Sequence, residues 1–158
     1  MKFSHIKEKK INMVDISTKD VSTRVARAKS QIKFKQNIFK KVLQSGSDKG
    51  EIFNTARCAG ILAAKKTSDL IPLCHNININ SVSVKFDINE KDSVIEVIAE
   101  VRSSSKTGVE MEAMIASSVA SLTIYDMCKS LDKSIIINDL KLLYKSGGKS
   151  GEYRNDFV

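Results

Sequence analysis

At 158 residues, with 28% charged and 42% hydrophobic side chains, the chain has the size and composition of one globular domain able to bury a core without disulfides. Its mean hydropathy of −0.17 and the lack of a long apolar run exclude a transmembrane segment, and MKFSHIKEKKINMVD lacks the apolar core of a secretory signal. The net charge of +8 favours anionic partners, and Cys58, Cys74 and Cys128, an odd and widely spaced set, predict reduced thiols in a cytoplasmic protein.

In chain order, Lys2, Lys7, Lys9 and Lys10 crowd residues 1–12, where a disordered basic tail is expected; a single domain is expected over 13–155. From Arg24 to Lys35 the residues alternate. Ala26, Ala28, Ser30, Ile32 and Phe34 take one face, and Arg27, Lys29, Gln31, Lys33 and Lys35 the other, which predicts a half-buried strand with a basic outer face. QNIFKKVLQSG reads as a short helix ending at Gly46. In SDKGEIFNTARCAGILAAKKT, Asp48 and Glu51 read as a capping-box start. Ala56, Ala59, Gly60, Ala63 and Ala64 keep that helix thin, so something packs closely on it.

Pro72 places SDLIPLCHN in a loop. Val82, Val84, Phe86 and Ile88, then Ile95, Val97, Ala99 and Val101, alternate with polar neighbours around the turn NEKDS and predict an antiparallel hairpin. A long helix is expected over 109–129, and SIIINDLKLLY is a last strand. The order strand, two helices, strand, strand, helix, strand predicts an α+β domain of the ferredoxin-like, split βαβ type. Its antiparallel sheet is covered by helices on one face, with an extra helix in the first crossover.

The ending KSGGKSG contains Gly148-Lys149-Ser150, which resembles the close of a phosphate-cradling P-loop. That motif needs a glycine at the position held here by Leu143 and a helix after the serine, whereas only GEYRNDFV follows. What remains is a Gly-rich turn carrying Lys145 and Lys149, a place where backbone and ammonium groups can approach an anion.

On a wheel of the long helix, Met111, Ile115, Val119 and Leu122 form a stripe with Met114 at its edge, and this stripe is expected to enter the core. Its continuation reaches Asp126 and Lys129, and Glu112 borders it. An i, i+3 carboxylate and ammonium in a partly desolvated place are candidates for acid–base work, against the plainer reading of an ion pair at a helix end. Lys49, in the first turn of its helix, sits where free N–H groups favour an anion. His75 lies in the loop beside Cys74, but adjacent residues rarely chelate one ion, and the chain has no Cys-x-x-Cys or His-x-x-x-His spacing, so a protein metal site is rejected.

MVDIS, KGEIFNTARCAGILAAKKTSDLIPLCH, KTGVEMEAM, SVASLTIYDMCK and LLYKSGGKSGEY, in this order from about Ser4 to Tyr153, resemble the MoaC family of molybdenum cofactor biosynthesis. The resemblance implies conversion of 3′,8-cyclo-7,8-dihydro-GTP to cyclic pyranopterin monophosphate with release of pyrophosphate. It also implies a ferredoxin-like fold and a homohexamer, a trimer of dimers, with sites at subunit interfaces. Asp126 and Lys129 match the catalytic pair. Leu73, Cys74, His75, Met111 and Glu112 match substrate-contacting positions, Lys49 and Lys145 active-site lysines, and Arg24 a further substrate contact. No cofactor held by protein ligands is implied; a divalent ion accompanying the triphosphate is left open. Asn76 stands where the family usually has proline.

Two other readings stand beside this one. The basic strand at 27–35 invites an RNA-binding ferredoxin-like module, but aromatics are only 6% and no strand carries a base-stacking pattern, so neither a nucleic acid nor a membrane is expected as partner. An inactive hexamer of the same family is disfavoured by retention of Asp126, Lys129, His75 and Lys145.

Overall fold

A computed structural model describes residues 5–7, 9–45 and 47–155, apart from the side chains of residues 7 and 47. The elements are β1 (Ile6–Lys7), β2 (Lys10–Ile11), β3 (Ser22–Lys33), α1 (Gln36–Gln44), α2 (Ser47–Lys65), α3 (Thr67–Leu70), β4 (Ile79–Asn89), β5 (Val94–Ser105), α4 (Glu110–Cys128), β6 (Ile136–Ser146) and β7 (Tyr153–Arg154). β4, β5, β3, β6 and β7 form one antiparallel sheet in that spatial order, and α1 to α3 all lie in the first crossover. This is the split βαβ arrangement expected from the element order. Where a disordered tail was expected, β1 and β2 pair as a small hairpin. Gly46, the expected end of the first helix, lies outside the described residues, and Asp48 stands inside the first turn of α2 rather than ahead of it.

The alternation in β3 places Ala26, Ala28, Ser30 and Ile32 on the helix-covered face, opposite Val101, Ala99, Val97 and Ile95 of β5. On the other face Arg27 and Lys29 are already partnered. Lys29 is 8% exposed, with Glu96 at 2.9 Å and Asp139 at 3.5 Å, while Glu100 takes Arg27 at 2.6 Å and Arg102 at 2.8 Å. Pairing of this kind takes Arg27 and Lys29 out of the free charge that the strand face could offer a polyanion.

The long helix turns the other way from the expected stripe. Glu112, Ala113, Ala116, Ser117, Ala120, Ser121, Ile124 and Cys128 are buried, whereas Leu122 is 56% exposed and Met111, Ile115 and Val119 are only partly covered. α4 is apolar nearly all round, so periodicity could not select the inward side. Packing decided it: small residues let α4 lie close to both the sheet and α2. Ser30 Oγ meets the hydroxyls of Ser117 and Ser121 at 2.7 Å each, and Ser117 Oγ donates to the Val97 carbonyl at 2.9 Å, so the tight contact leaves no hydroxyl in this trio unpaired. The thin helix α2 meets the same neighbour. A Cβ on Gly60 would stand 2.8 Å from the Ala116 carbonyl oxygen and 3.2 Å from Ala120 Cβ, so its closeness is to α4 of the same chain.

Candidate active site

β6 lies antiparallel to β3 with Lys145 opposite Ala26, which turns the lysine toward the helix side of the sheet. There Lys145 Nζ donates to Glu110 Oε1 at 2.8 Å and lies 3.4 Å from Ser150 Oγ. Arg24, near the start of β3, donates from Nε to the Ser105 carbonyl and from Nη2 to the Lys106 carbonyl, both at 3.3 Å. Beyond β6 the chain turns through Gly147 and Gly148 at φ of 98° and 73°. A Cβ on Gly148 would fall on the Arg24 guanidinium, so both the backbone conformation and the arginine need glycine there. Arg24 and Lys145, with Lys19, Lys106 and Lys149, border a cavity of about 820 Å³. Five cations around one concavity favour a highly charged anion.

A second cavity, of about 310 Å³, is lined by Leu73, Cys74, His75, Met111 and Glu112 and shares Lys19, Thr107, Gly108 and Glu110 with the first. His75 Nε2 donates to the Val14 carbonyl at 2.8 Å. Glu112 is 4% exposed and has no salt-bridge partner among the described residues. Burial, helped by the nearby Glu110 charge, pushes its carboxyl up to about 7 against a weaker opposing backbone hydrogen bond. Burial and then the Glu112 charge likewise push the Cys74 thiol up. A carboxyl poised near neutrality beside an imidazole, with cations next door, suits proton transfer on a phosphorylated substrate.

The expected catalytic pair lies elsewhere on the chain. Lys129 Nζ donates to Asp126 Oδ1 at 2.5 Å, but the two side chains are 54% and 68% exposed and do not enter the core. Asp126, through its hydrogen bond and its charge, raises the Lys129 ammonium above the usual lysine range. From position 110 to 126 the helix rises roughly 24 Å. α2 and α4 run in opposite directions: the chain beyond α2 brings Leu73–His75 to Met111 and Glu112 at the start of α4, while Gly60 meets Ala116 and Ala120 midway. Lys49, in the first turn of α2, therefore shares the far end with Asp126 and Lys129. Of the expected residues, Arg24, Leu73, Cys74, His75, Met111, Glu112 and Lys145 come together at one end of the helix pair. Lys49, Asp126 and Lys129 stand at the other.

Residues 13–148 match the family model described as "MoaC family". The chain belongs to the MoaC family. Among its relatives, the cyclic pyranopterin monophosphate synthase of Bordetella petrii is 49% identical over 154 residues, covering 97% of this chain and 95% of the relative. The synthase of the same name from Pelobacter propionicus is 47% identical, covering 99% and 98%, and that from Peptoclostridium acidaminophilum 43% over the full length of both.

For this MoaC family chain the tertiary structure adds Glu110, Lys19 and Lys106 to the site. Glu110 and Lys106 sit within KTGVEMEAM, but nothing local distinguishes Glu110 from any acidic residue in a first helical turn. Lys19 lies in a polar stretch whose approach to the cavities only the fold reveals. Among the described residues no group of three or more His, Cys, Asp and Glu could hold a metal ion, and no helix is long and apolar enough to cross a membrane.

Proposed function

We propose that the chain is a cyclic pyranopterin monophosphate synthase, taking 3′,8-cyclo-7,8-dihydro-GTP to cyclic pyranopterin monophosphate and pyrophosphate in molybdenum cofactor biosynthesis. The observation that carries this reading is near-full-length identity of 43–49% to synthases of that name, together with a cation-rimmed cavity merging into one with an imidazole and a poised carboxyl. Arg24, Lys145, Lys19 and Lys106 neutralise the triphosphate and the departing pyrophosphate. His75 and Glu112 hold or relay protons at the purine-derived part, with Leu73, Cys74 and Met111 walling it. A hydroxyl oxygen of the substrate attacks the α-phosphorus, its proton passing to a basic group of the site as the bond to pyrophosphate breaks. No cofactor of the protein's own is required, and a divalent ion accompanying the triphosphate counts with the substrate.

Asp126, Lys129 and Lys49 complete the site from a neighbouring copy in a cytoplasmic homohexamer, a trimer of dimers. Two features support that assembly. The acid–base pair lies about 24 Å from Glu110 within one chain. The outward side of α4 is apolar, with Leu122 56% exposed, and Leu62 of α2 is 60% exposed. In this reading Lys129 and Asp126 share the general acid–base steps, Asp126 holding Lys129 protonated until a proton is needed.

The test is to generate the cyclised GTP intermediate in situ and follow pyrophosphate and cyclic monophosphate together. Wild type is expected to form both in equal amounts, and Asp126→Asn and Lys129→Ala neither. A folded wild type that forms no product would remove the reading, and an Asp126→Asn variant at near-normal rate would remove Asp126 from the chemistry.

A further inference from the structure

Residues 14–20 cross the rim of both cavities as a strap tied down at two points. The Val14 carbonyl accepts from His75 Nε2 at 2.8 Å, and the Ser17 carbonyl accepts from Lys106 Nζ at 2.7 Å. Between the ties, Asp15 Oδ1 accepts from the Ser17 N–H at 2.8 Å, closing a local turn of the kind aspartate makes with the backbone two residues on. A carbonyl only accepts, so the bond to Val14 exists only while Nε2 carries a proton; in the neutral ring Nδ1 is then the sole nitrogen able to take one. Asn76 beside His75 is exposed, and the Val14 carbonyl of the strap is the hydrogen-bond partner that anchors this imidazole.

We propose that Asp15 is a positioning residue for His75: its turn with Ser17 sets the Val14 carbonyl against Nε2–H, which fixes the ring and presents Nδ1 as its acceptor in the cavity. The proposal rests on the reading of His75 as a proton-handling group of the synthase site. The Asp15 carboxylate is held below the usual aspartate range, first by the Ser17 backbone N–H and then by the Ser17 hydroxyl, with smaller pulls from His75 and Lys106. It therefore stays an acceptor across the neutral range. The role is not one of charge alone. An amide oxygen at position 15 would still accept from Ser17, whereas a methyl group would not. A second-layer partner that fixes an imidazole's tautomer is a recurrent way of setting which nitrogen reacts.

The experiment uses the full-length protein, sedimented and labelled with 15N-histidine, with His5→Gln introduced so that His75 gives the only ring signals. Proton-detected magic-angle-spinning spectra then read the ring N–H directly. An imidazole N–H bonded to a carbonyl is shielded from exchange and gives a cross-peak, whereas one open to water exchanges and is lost. An Nε2–H cross-peak is expected in the wild-type background and in Asp15→Asn, and its loss in Asp15→Ala. Ser17→Pro, which keeps the Asp15 charge but deletes the donor, provides a second break of the turn and is also expected to lose the peak. An Nδ1–H cross-peak in the wild type, or an Nε2–H peak that survives both turn-breaking variants, overturns the proposal. Because the readout needs no turnover, a protein with the expected peaks but no synthase activity would sink the functional reading and leave the orientation standing.

Discussion

Glu110 and Asp126 stand at opposite ends of one helix, α4, so a substrate held at the Glu110–Lys145 pair cannot touch the Asp126–Lys129 pair of the same chain. The two groups can act on one molecule only when two copies meet. Asp126→Asn and Lys145→Ala are each expected to be inactive alone. Unfolded together in equal amounts and refolded, they should recover about a quarter of wild-type activity, since half the copies can supply each side of an interface site. Product formation after mixing measures this, and no recovery would mean that the pair does not complete a neighbour's site.

Glu112 links activity to pH and stability. Its folded value of about 7 lies above the ordinary glutamate value of 4.5, so well below pH 4.5 both folded and unfolded carboxyls are protonated and nothing is lost. As the pH rises from 4.5 to 7 the unfolded chain releases the proton while the folded chain keeps it, and folding weakens. Above 7 the full cost applies, on the order of 3 kcal/mol. Glu112→Gln should therefore be as stable as wild type near pH 4.5 and more stable at pH 8, while losing turnover. Urea midpoints at the two pH values check the first part. An equal stability gap at both would show that the carboxyl is not held protonated by burial.

Gly148→Ala meets two obstacles, a φ of 73° and the Arg24 guanidinium where its Cβ would stand. Left-handed backbone costs a residue with a side chain about 1–2 kcal/mol. Displacing Arg24 should also raise the KM for the triphosphate roughly tenfold, the scale of one charge-assisted contact, with kcat less affected. Steady-state kinetics with thermal melts separate the two effects.

Gly60→Ala tests the helix contact. Alanine gains about 1 kcal/mol of helix propensity. Its methyl group would meet the Ala116 carbonyl oxygen at 2.8 Å and Val84 Cγ2 at 3.2 Å, and overpacking of a tight core costs typically 1–3 kcal/mol. A net loss of up to about 2 kcal/mol in denaturant unfolding is expected; a stabilised variant would show that α2 and α4 can separate freely.

Asp126→Asn should change monomer stability by less than about 0.5 kcal/mol, because the pair with Lys129 is solvent-exposed. Its effect on turnover, measured against that near-silent unfolding curve, isolates chemistry from folding.

The order of elements, the two strands of the hairpin and the inward face of β3 were legible in the chain, because a half-buried strand alternates and each polar face advertises its side. The motif blocks likewise carried the family and most of the candidate site residues. The inward face of α4 was not legible. With apolar residues on every side of the helix, the choice fell to the sheet and α2, which only small side chains let approach, and the larger Met111, Ile115 and Leu122 were left outward. Nor could local pattern show that Lys29 of a basic strand is buried between Glu96 and Asp139, since its partners come from two other strands. Apart from Glu110, Lys19 and Lys106, the sequence by itself named the candidate residues. Only the tertiary structure decided that those residues fall into two groups at opposite ends of a helix pair, because the distance between side chains far apart in the chain depends on how the helices cross the sheet.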